Sequence, residues 1–276
     1  MLHDLRPTFS ATAVLLAGLI VLAGCQADFA GRVPSPEMGS EPARTEVLRF
    51  AGDDAAVSLD DPRWQQIPRM TLSLSTQELA QDKSLVEPGS VQIAYDSTAL
   101  YLRVEMTDRD VVATATQESD RLFQTGDVAE WFVGSPPTAD GQPGNYLELH
   151  VAPDGDRRAY RIDRPGLYQP VPQPPFTAEV RVDGTLNDFS DRDRGWAVLF
   201  VLPWSALAES TAAGGSAGDI RQLPLSLLLG RYNFGHHLPY SDSGFGGPEL
   251  STWPMQPQTA FHLRPHHARI ELVDAE

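Results

Sequence analysis

The chain has 276 residues, 37 acidic against 21 basic side chains, a formal net charge of −16 and one cysteine. This length is enough for one large domain with its own hydrophobic core. The acidic balance excludes the class of nucleic-acid binders, because phosphate binding depends on clustered Lys and Arg. A single cysteine excludes an intramolecular disulfide framework. The composition, 41% hydrophobic and 21% charged, is that of a folded protein.

The amino terminus carries the pattern of a secretory signal. His3 and Arg6 precede an apolar run from Ala11 to Ala23, which is too short to span a bilayer of roughly 30 Å. The run ends in Leu22-Ala23-Gly24-Cys25, which resembles the lipobox of bacterial lipoproteins. That resemblance implies cleavage before Cys25 and attachment of lipid to its thiol. The alternative is an ordinary signal peptide followed by a chance cysteine.

Three segments follow from this pattern. We predict a lipoprotein signal peptide over residues 1–24, a flexible tether rich in Pro, Gly and Ser over 25–44, and a folded domain over 45–276. Gln26 follows the cysteine, whereas lipoproteins kept at the inner membrane have aspartate there. The resemblance therefore implies a cell-envelope protein whose membrane partner is reached through the lipid on Cys25, at the outer membrane.

Within residues 45–276 short runs of alternating apolar and polar side chains are separated by Gly, Pro and Asp, as is typical of half-buried strands. Helical signal is confined to residues 76–85 and to one turn after Pro203. The pattern predicts an all-β fold, an antiparallel β-sandwich of immunoglobulin-like or jelly-roll type with few short helices. The predicted strands are residues 70–74, 91–95, 100–106, 128–133, 146–151, 158–162, 176–182, 196–202, 225–229 and 269–273.

Two predicted strands place polar side chains on one sheet face. In residues 128–133 the alternation puts Trp131 on a wholly apolar face and Glu130 on the opposite, accessible face. In residues 146–151 Glu148 and His150 point away from the apolar positions in the same way. If the strands pair, they form the mixture of acidic, imidazole and aromatic groups that sugars require. The alternative is a solvated sheet face on which Glu and His are merely tolerated.

Several stretches, taken together in order and spacing, resemble the family 9 carbohydrate-binding modules. The segment Gly126 to Phe132, with its Asp-hydrophobic-x-Glu-x-Phe pattern, is the most characteristic, and coverage extends over most of residues 45–273. The resemblance implies a non-catalytic β-sandwich that binds a carbohydrate ligand. The other stretches are Leu59-Asp60-Asp61 with Trp64, residues 100–110, residues 146–155, residues 195–204 and residues 251–265.

The resemblance also implies a set of site residues. The glutamate that hydrogen-bonds the sugar in the family matches Glu130. Two tryptophans that sandwich the sugar ring in the family are missing here, and their neighbourhoods hold Phe123 and Phe261, which stack with less area and no indole N–H. We expect Phe123 and Phe261 to contact the ring, Glu130 and His150 to bind hydroxyls, and Arg231 to add a bidentate donor. The missing tryptophans favour the alternative of a structural or interaction module that has lost its sugar site.

Catalysis is the other alternative. A glycoside hydrolase would need a pair of carboxylates such as Glu130 and Glu148, but among 37 acidic residues such pairs arise by chance. Residues 214–218 match the G-x-S-x-G pattern without the buried strand and helix that a nucleophile elbow requires. We therefore predict a non-catalytic protein.

Metal sites and exposed rings complete the list of candidates. The histidines lack the spacing of a zinc motif. The modules that the chain resembles often carry structural calcium, which five aspartates could ligate at a site the sequence does not locate. Among the tryptophans, Trp131 and Trp196 are predicted to lie in the core, and Trp253 is predicted to be the most exposed. The five aspartates are Asp60, Asp61, Asp108, Asp110 and Asp127.

Overall fold

The computed structural model describes residues 42–51, 56–113, 122–137, 144–163, 166–211, 220–238 and 248–274. The predicted signal peptide and Cys25 lie outside the described residues, as do the G-x-S-x-G pattern at 214–218 and nearly all of the predicted tether. Among the described residues no helix has the length and apolar character needed to cross a membrane.

The described residues form thirteen strands in one hydrogen-bonded sheet, which confirms the predicted all-β class. The strand order is β8-β7-β6-β5-β11-β13-β1-β3-β4-β10-β9, with β12 paired to β11 and β2 to β3. The strands are β1 Arg44–Arg49, β2 Met70–Thr71, β3 Gly89–Tyr95, β4 Ala99–Thr107, β5 Val128–Gly134, β6 Tyr146–Val151, β7 Arg157–Ile162, β8 Tyr168–Pro170, β9 Thr177–Asp183, β10 Gly195–Pro203, β11 Leu225–Asn233, β12 Glu249–Trp253 and β13 Ala268–Val273.

One strand departs from the predicted antiparallel pattern. β1 pairs in parallel with both β13 and β3, whereas the other pairings between named strands are antiparallel. The sheet is therefore mixed. Side-chain alternation specifies which face of a strand is buried but not the direction of its neighbours, so this feature has no signal in the local pattern.

The two halves of the sheet pack face to face over one hydrophobic core. β5, β6 and β11 contribute from one half, and β3, β4 and β10 contribute from the other. Trp131 on β5 lies 5.8 Å from Phe200 on β10, ring centroid to ring centroid, and so joins the halves. Trp131 and Trp196 are buried as predicted, and Trp253, which is half-buried against this core, is the most exposed of the five tryptophans, as predicted.

The helices are short. The first, α1, covers only Thr76–Leu79 of the predicted 76–85; Ser75 and Glu78 form a capping box at its start, and Asp82 has φ 58° just beyond its end. The second, α2, covers Trp204–Ser210 directly after Pro203, and its apolar face packs on the core. Single 3₁₀ turns occur at Pro62–Gln66, Leu122–Gln124 and Arg264–His266.

Candidate functional site

The pairing of β5 with β6 places Glu130 directly opposite His150, with Glu148 two residues away on the same face. His150 Nε2 lies 2.7 Å from Glu148 Oε1 in a hydrogen bond and 3.3 Å from Glu130 Oε1. We call Glu130, Glu148 and His150 the acid–imidazole triad. Both strands are internal to the sheet, so the three side chains are held on rigid elements.

The triad is buried, whereas the sequence pattern predicts that it lies on an accessible face. Glu130 and Glu148 are 2% and 3% exposed and His150 is fully buried, because aromatic side chains cover this face of the sheet. Among the described residues Glu130 Oε1, Glu148 Oε2 and His150 Nδ1 find no hydrogen-bond partner. Buried polar atoms are rarely left without a partner, and such atoms in a native structure indicate a missing ligand, water or ion.

Burial and mutual charge shift the protonation of the triad. Burial raises the pKa of Glu130 to about 8; the charge on Glu148 adds to this rise, and His150 opposes it. Burial alone would lower the pKa of His150, but the two carboxylates outweigh it and raise the pKa of the imidazole. Glu130 therefore carries a proton near pH 7. The triad offers both hydrogen-bond donors and carboxyl oxygen acceptors to a ligand.

A row of aromatic rings lies against the triad. Phe123, from the turn Leu122–Gln124, lies 6.0 Å from the His150 ring and 5.1 Å from the Tyr232 ring. Tyr232 in turn lies 5.3 Å from Phe261. We call Phe123, Tyr232 and Phe261 the aromatic row. Four of the sequence-predicted site residues, Glu130, His150, Phe123 and Phe261, are thus gathered on one face.

Phe261 owes its position to a glycine and to a buried brace. A Cβ on Gly230, the residue opposite Glu130, would lie 2.5 Å from Phe261 Cε2, so only glycine leaves room for the ring. His267 Nε2 donates to the Phe261 carbonyl at 2.7 Å, and Arg264 Nη1 donates to His267 Nδ1 at 2.7 Å. Burial and then the Arg264 charge lower the pKa of His267, which keeps this imidazole neutral.

A second imidazole lies beside the triad. His262 Nδ1 is 2.9 Å from the Tyr146 hydroxyl, and His262 Nε2 is 3.0 Å from the Tyr168 hydroxyl and 3.8 Å from Glu148 Oε2. Burial lowers the pKa of His262. Sequence reasoning missed His262 as well as Tyr232 and Tyr160, because their approach to the triad depends on strand register and on the loop after β12.

The structure places Arg231 outside this site. Arg231 pairs with Ala129 and not with Glu130, so its side chain lies on the opposite, core-facing side of β11 and is fully buried. Its guanidinium donates to the carbonyls of Glu87 and Thr107 at 2.9 and 2.7 Å and to Asn233 Oδ1 at 2.8 Å. The period-two alternation of the strand thus turns Arg231 away from the triad.

Three of the candidate calcium ligands lie near Arg231. Asp108 Oδ2 is 3.2 Å from the guanidinium, Asp110 Oδ2 is 3.0 Å from His237 Nδ1, and Asp127 accepts two backbone N–H groups at 2.6 Å each. Burial raises the pKa of Asp108 to about 6. The Arg231 guanidinium already donates to carbonyl, carboxylate and amide oxygens of the kind that calcium takes as ligands. Calcium therefore does not fit among these described residues. The other two, Asp60 and Asp61, pair with Arg181 and Arg63.

No known protein-family model and no curated protein sequence matches this chain. Solved structures do match. A candidate carbohydrate-binding protein from Bacteroides uniformis superposes with a TM-score of 0.58 at 14% identity, over 85% of this chain and 100% of its own. A family 9 carbohydrate-binding module from Caldicellulosiruptor kristjanssonii, in complex with cellotriose, gives 0.50 at 12% identity, over 84% and 95%.

The same kind of module from that organism in complex with glucose gives a TM-score of 0.51 at 11% identity, over 84% of this chain and 97% of its own. The chain has the fold of the family 9 carbohydrate-binding modules. Because the match spans nearly the whole of each family 9 module, the fold resemblance predicted from the sequence is confirmed. At this level of identity the family 9 fold is shown, whereas the ligand of the chain has to be argued from its own residues.

Proposed function

We propose that this chain is a lipid-anchored, non-catalytic protein that binds sugars or polysaccharide ends at the acid–imidazole triad and the aromatic row. The observation that carries the proposal is the convergence of Glu130, His150, Phe123 and Phe261 on one face, with three buried polar atoms lacking partners. Sugar hydroxyls supply the partners that these atoms lack. The family 9 neighbours with cellotriose and glucose support the same ligand class.

The chemistry of the site suits a pyranose. Aromatic rings cover the apolar C–H face of a sugar, and a protonated Glu130 donates to hydroxyls while the carboxyl oxygens of Glu148 accept from them. Phe123 and Tyr232 are the half-buried members of the aromatic row, whereas Phe261 is 6% exposed. A sugar would therefore approach over Phe123 and Tyr232 and reach the triad beneath them.

Calorimetric titration of the full-length protein with glucose and cellotriose, backed by a glycan array, tests this function. We expect millimolar or tighter binding by the wild type, loss of binding in Glu130→Gln, and unchanged binding in Glu209→Gln, which alters an exposed glutamate on α2. Glutamine keeps the size of the side chain, so the fold is retained. A wild type that binds no sugar at millimolar concentration would overturn the proposal in favour of a structural or interaction module.

The lipid anchor rests on the lipobox-like sequence that ends at Cys25, outside the described residues. A diacylglyceryl thioether on Cys25 would tether the domain to the outer membrane through residues 25–44. We expect Cys25→Ser to abolish incorporation of labelled palmitate and to shift the protein from the membrane fraction to the soluble fraction. Palmitate labelling that persists in Cys25→Ser would contradict the anchor.

One observation supports a glycoside hydrolase as a second candidate. Glu130 and Glu148 lie side by side, and burial raises the pKa of Glu130 to about 8, a property of a general acid. The binding function predicts no release of reducing sugar from cello-oligosaccharides or xylan. Release that is lost in Glu130→Gln and kept in Glu209→Gln would establish the hydrolase instead.

A further inference from the structure

The acid–imidazole triad has the geometry of a metal site. One donor atom from each of Glu130, Glu148 and His150 lies within 4.8 Å of the other two. Tetrahedral zinc with bonds of roughly 2.0–2.1 Å holds its ligand atoms about 3.3 Å apart. Glu130 Oε1 and His150 Nε2 lie 3.3 Å apart, so these two atoms need almost no movement to share an ion.

The burial of the triad points to a missing cation. Two carboxylates lie in a nearly dry site, and among the described residues Glu130 Oε1 and Glu148 Oε2 have no hydrogen-bond partner. Buried charges in proteins are normally paired or coordinate a metal. One divalent ion balances two ionised carboxylates and a neutral imidazole, and its binding displaces the proton that Glu130 carries without it.

The ligand types select the class of ion. Calcium and magnesium take six or more oxygen ligands in most protein sites and do not favour imidazole. A set of one imidazole and two carboxylates suits zinc and its first-row neighbours. His262 lies beside the three ligands, with its Nε2 3.8 Å from Glu148 Oε2.

We propose that Glu130, Glu148 and His150 bind one divalent transition-metal ion, Zn²⁺ being the representative. The three protein ligands leave the fourth tetrahedral position open to water or to a ligand hydroxyl. The ion and a sugar are therefore compatible at one site. The proposal does not rest on sugar binding, since the triad supplies the ion's ligands by itself.

Titration of Zn²⁺ into chelator-treated full-length protein, without sugar, tests the site. We expect one equivalent of Zn²⁺ per chain and an affinity that falls about 100-fold or more in His150→Asn and Glu148→Gln, because even a residue beyond the ligands costs 10–100-fold. His236→Asn, which changes a histidine outside the triad, should bind as the wild type does. Circular dichroism in the aromatic region checks that each variant is folded.

Substitution by Co²⁺ gives an independent readout. Tetrahedral Co²⁺ bound to imidazole and carboxylates absorbs in the visible range, and this band should appear with one equivalent in the wild type and be lost in His150→Asn. Absence of Zn²⁺ uptake and of the Co²⁺ band in the wild type would overturn the proposal, as would equal affinity in wild type and folded His150→Asn. A sugar titration of the chelator-treated protein tests the proposed function separately.

Discussion

At the scale of single residues, Gly230 determines where Phe261 lies. The ring rests on the backbone of β11 at the position opposite Glu130, where an added Cβ would meet it at 2.5 Å. The contact ties a strand residue to a residue of the loop that follows β12. The aromatic row thus depends on the absence of a side chain at Gly230.

Gly230→Ala should displace Phe261 and weaken sugar binding. Overpacking of a buried contact costs about 1–3 kcal/mol of unfolding free energy, which urea denaturation measures. We expect sugar affinity to fall about tenfold or more in calorimetry, since a displaced Phe261 no longer supports Tyr232, one of the two rings over which the sugar approaches. In the double variant Gly230→Ala with Phe261→Leu the two costs should be non-additive. Additive costs would show that the two residues do not act together.

The alternation of residues explains which site residues could be predicted. Glu130 and His150 lie out of phase with apolar strand positions, and their shared face was predicted from that pattern alone. The same alternation, carried from Leu225 through Asn233, places Arg231 on the core face and Tyr232 beside Glu130. The burial of the triad could not be predicted, because it depends on how the turn at Leu122–Gln124 and the neighbouring strands pack against β5 and β6, which the local pattern does not specify.

At the scale of elements, the Arg264–His267 brace fixes the segment between β12 and β13. Arg264 donates to His267 Nδ1, and His267 donates to the carbonyl of Phe261, so the imidazole is held as the neutral tautomer. A protonated His267 would point an N–H at the guanidinium in a fully buried site. The brace therefore works only while His267 stays neutral.

This brace predicts a loss of stability in acid. The pKa of His267 is lowered in the folded state. Below about pH 6.5, His267 therefore binds a proton in the unfolded chain but stays neutral in the native chain. The contribution of His267 to the free energy of unfolding is fully present above pH 6.5. It declines as pH falls below that value, by up to about 1.4 kcal/mol per pH unit. We expect His267→Gln to flatten this slope in urea unfolding between pH 5 and 7.5.

His236→Gln is the matched control for this measurement, because His236 is exposed. It should keep the slope of the wild type between pH 5 and 7.5. A slope that persists unchanged in His267→Gln would show that other groups cause the loss of stability in acid.

The elements that sequence reasoning missed share a physical cause. β1 has one buried residue, Val47, and β8 has none, so neither shows an amphipathic alternation. β12 buries the polar side chains of Glu249, Ser251 and Thr252 at positions where an amphipathic strand would have apolar residues. The strands from β3 to β7 and from β9 to β11 were predicted within a few residues because the positions that face the core are mostly apolar, even in β9, where these positions are only half-buried.

At the scale of the whole molecule, Arg231 connects the two halves of the sheet. It lies on β11 and donates to carbonyls at the entrance to β3 and at the end of β4, while its guanidinium also lies against Asp108. These contacts cross from one half to the other at one edge of the core. A buried cation thus joins two layers that also share apolar packing and the hydrogen bonds of Glu249 to the backbone at Val86 and Glu87.

Arg231→Met should cost about 3–5 kcal/mol of unfolding free energy, because it leaves Asp108 and two buried carbonyls without their donor. Arg194→Met is the matched control, since Arg194 pairs with Asp183 at the surface and is 80% exposed in its side chain. We expect the control to leave the urea midpoint of the wild type unchanged. Equal midpoints for both variants would contradict the role given to Arg231.

β1 enters the sheet between two parallel neighbours, paired with β13 from Arg44 to Leu48 and with β3 at Leu48 and Arg49. Interstrand hydrogen bonds run across a strand, so tension along the strand loads them in shear. Tension directed along β1 is shared by all of its hydrogen bonds to β13 and β3 at once. If the proposed tether precedes β1, a domain held by it while its ligand is pulled away would resist mechanical unfolding at β1.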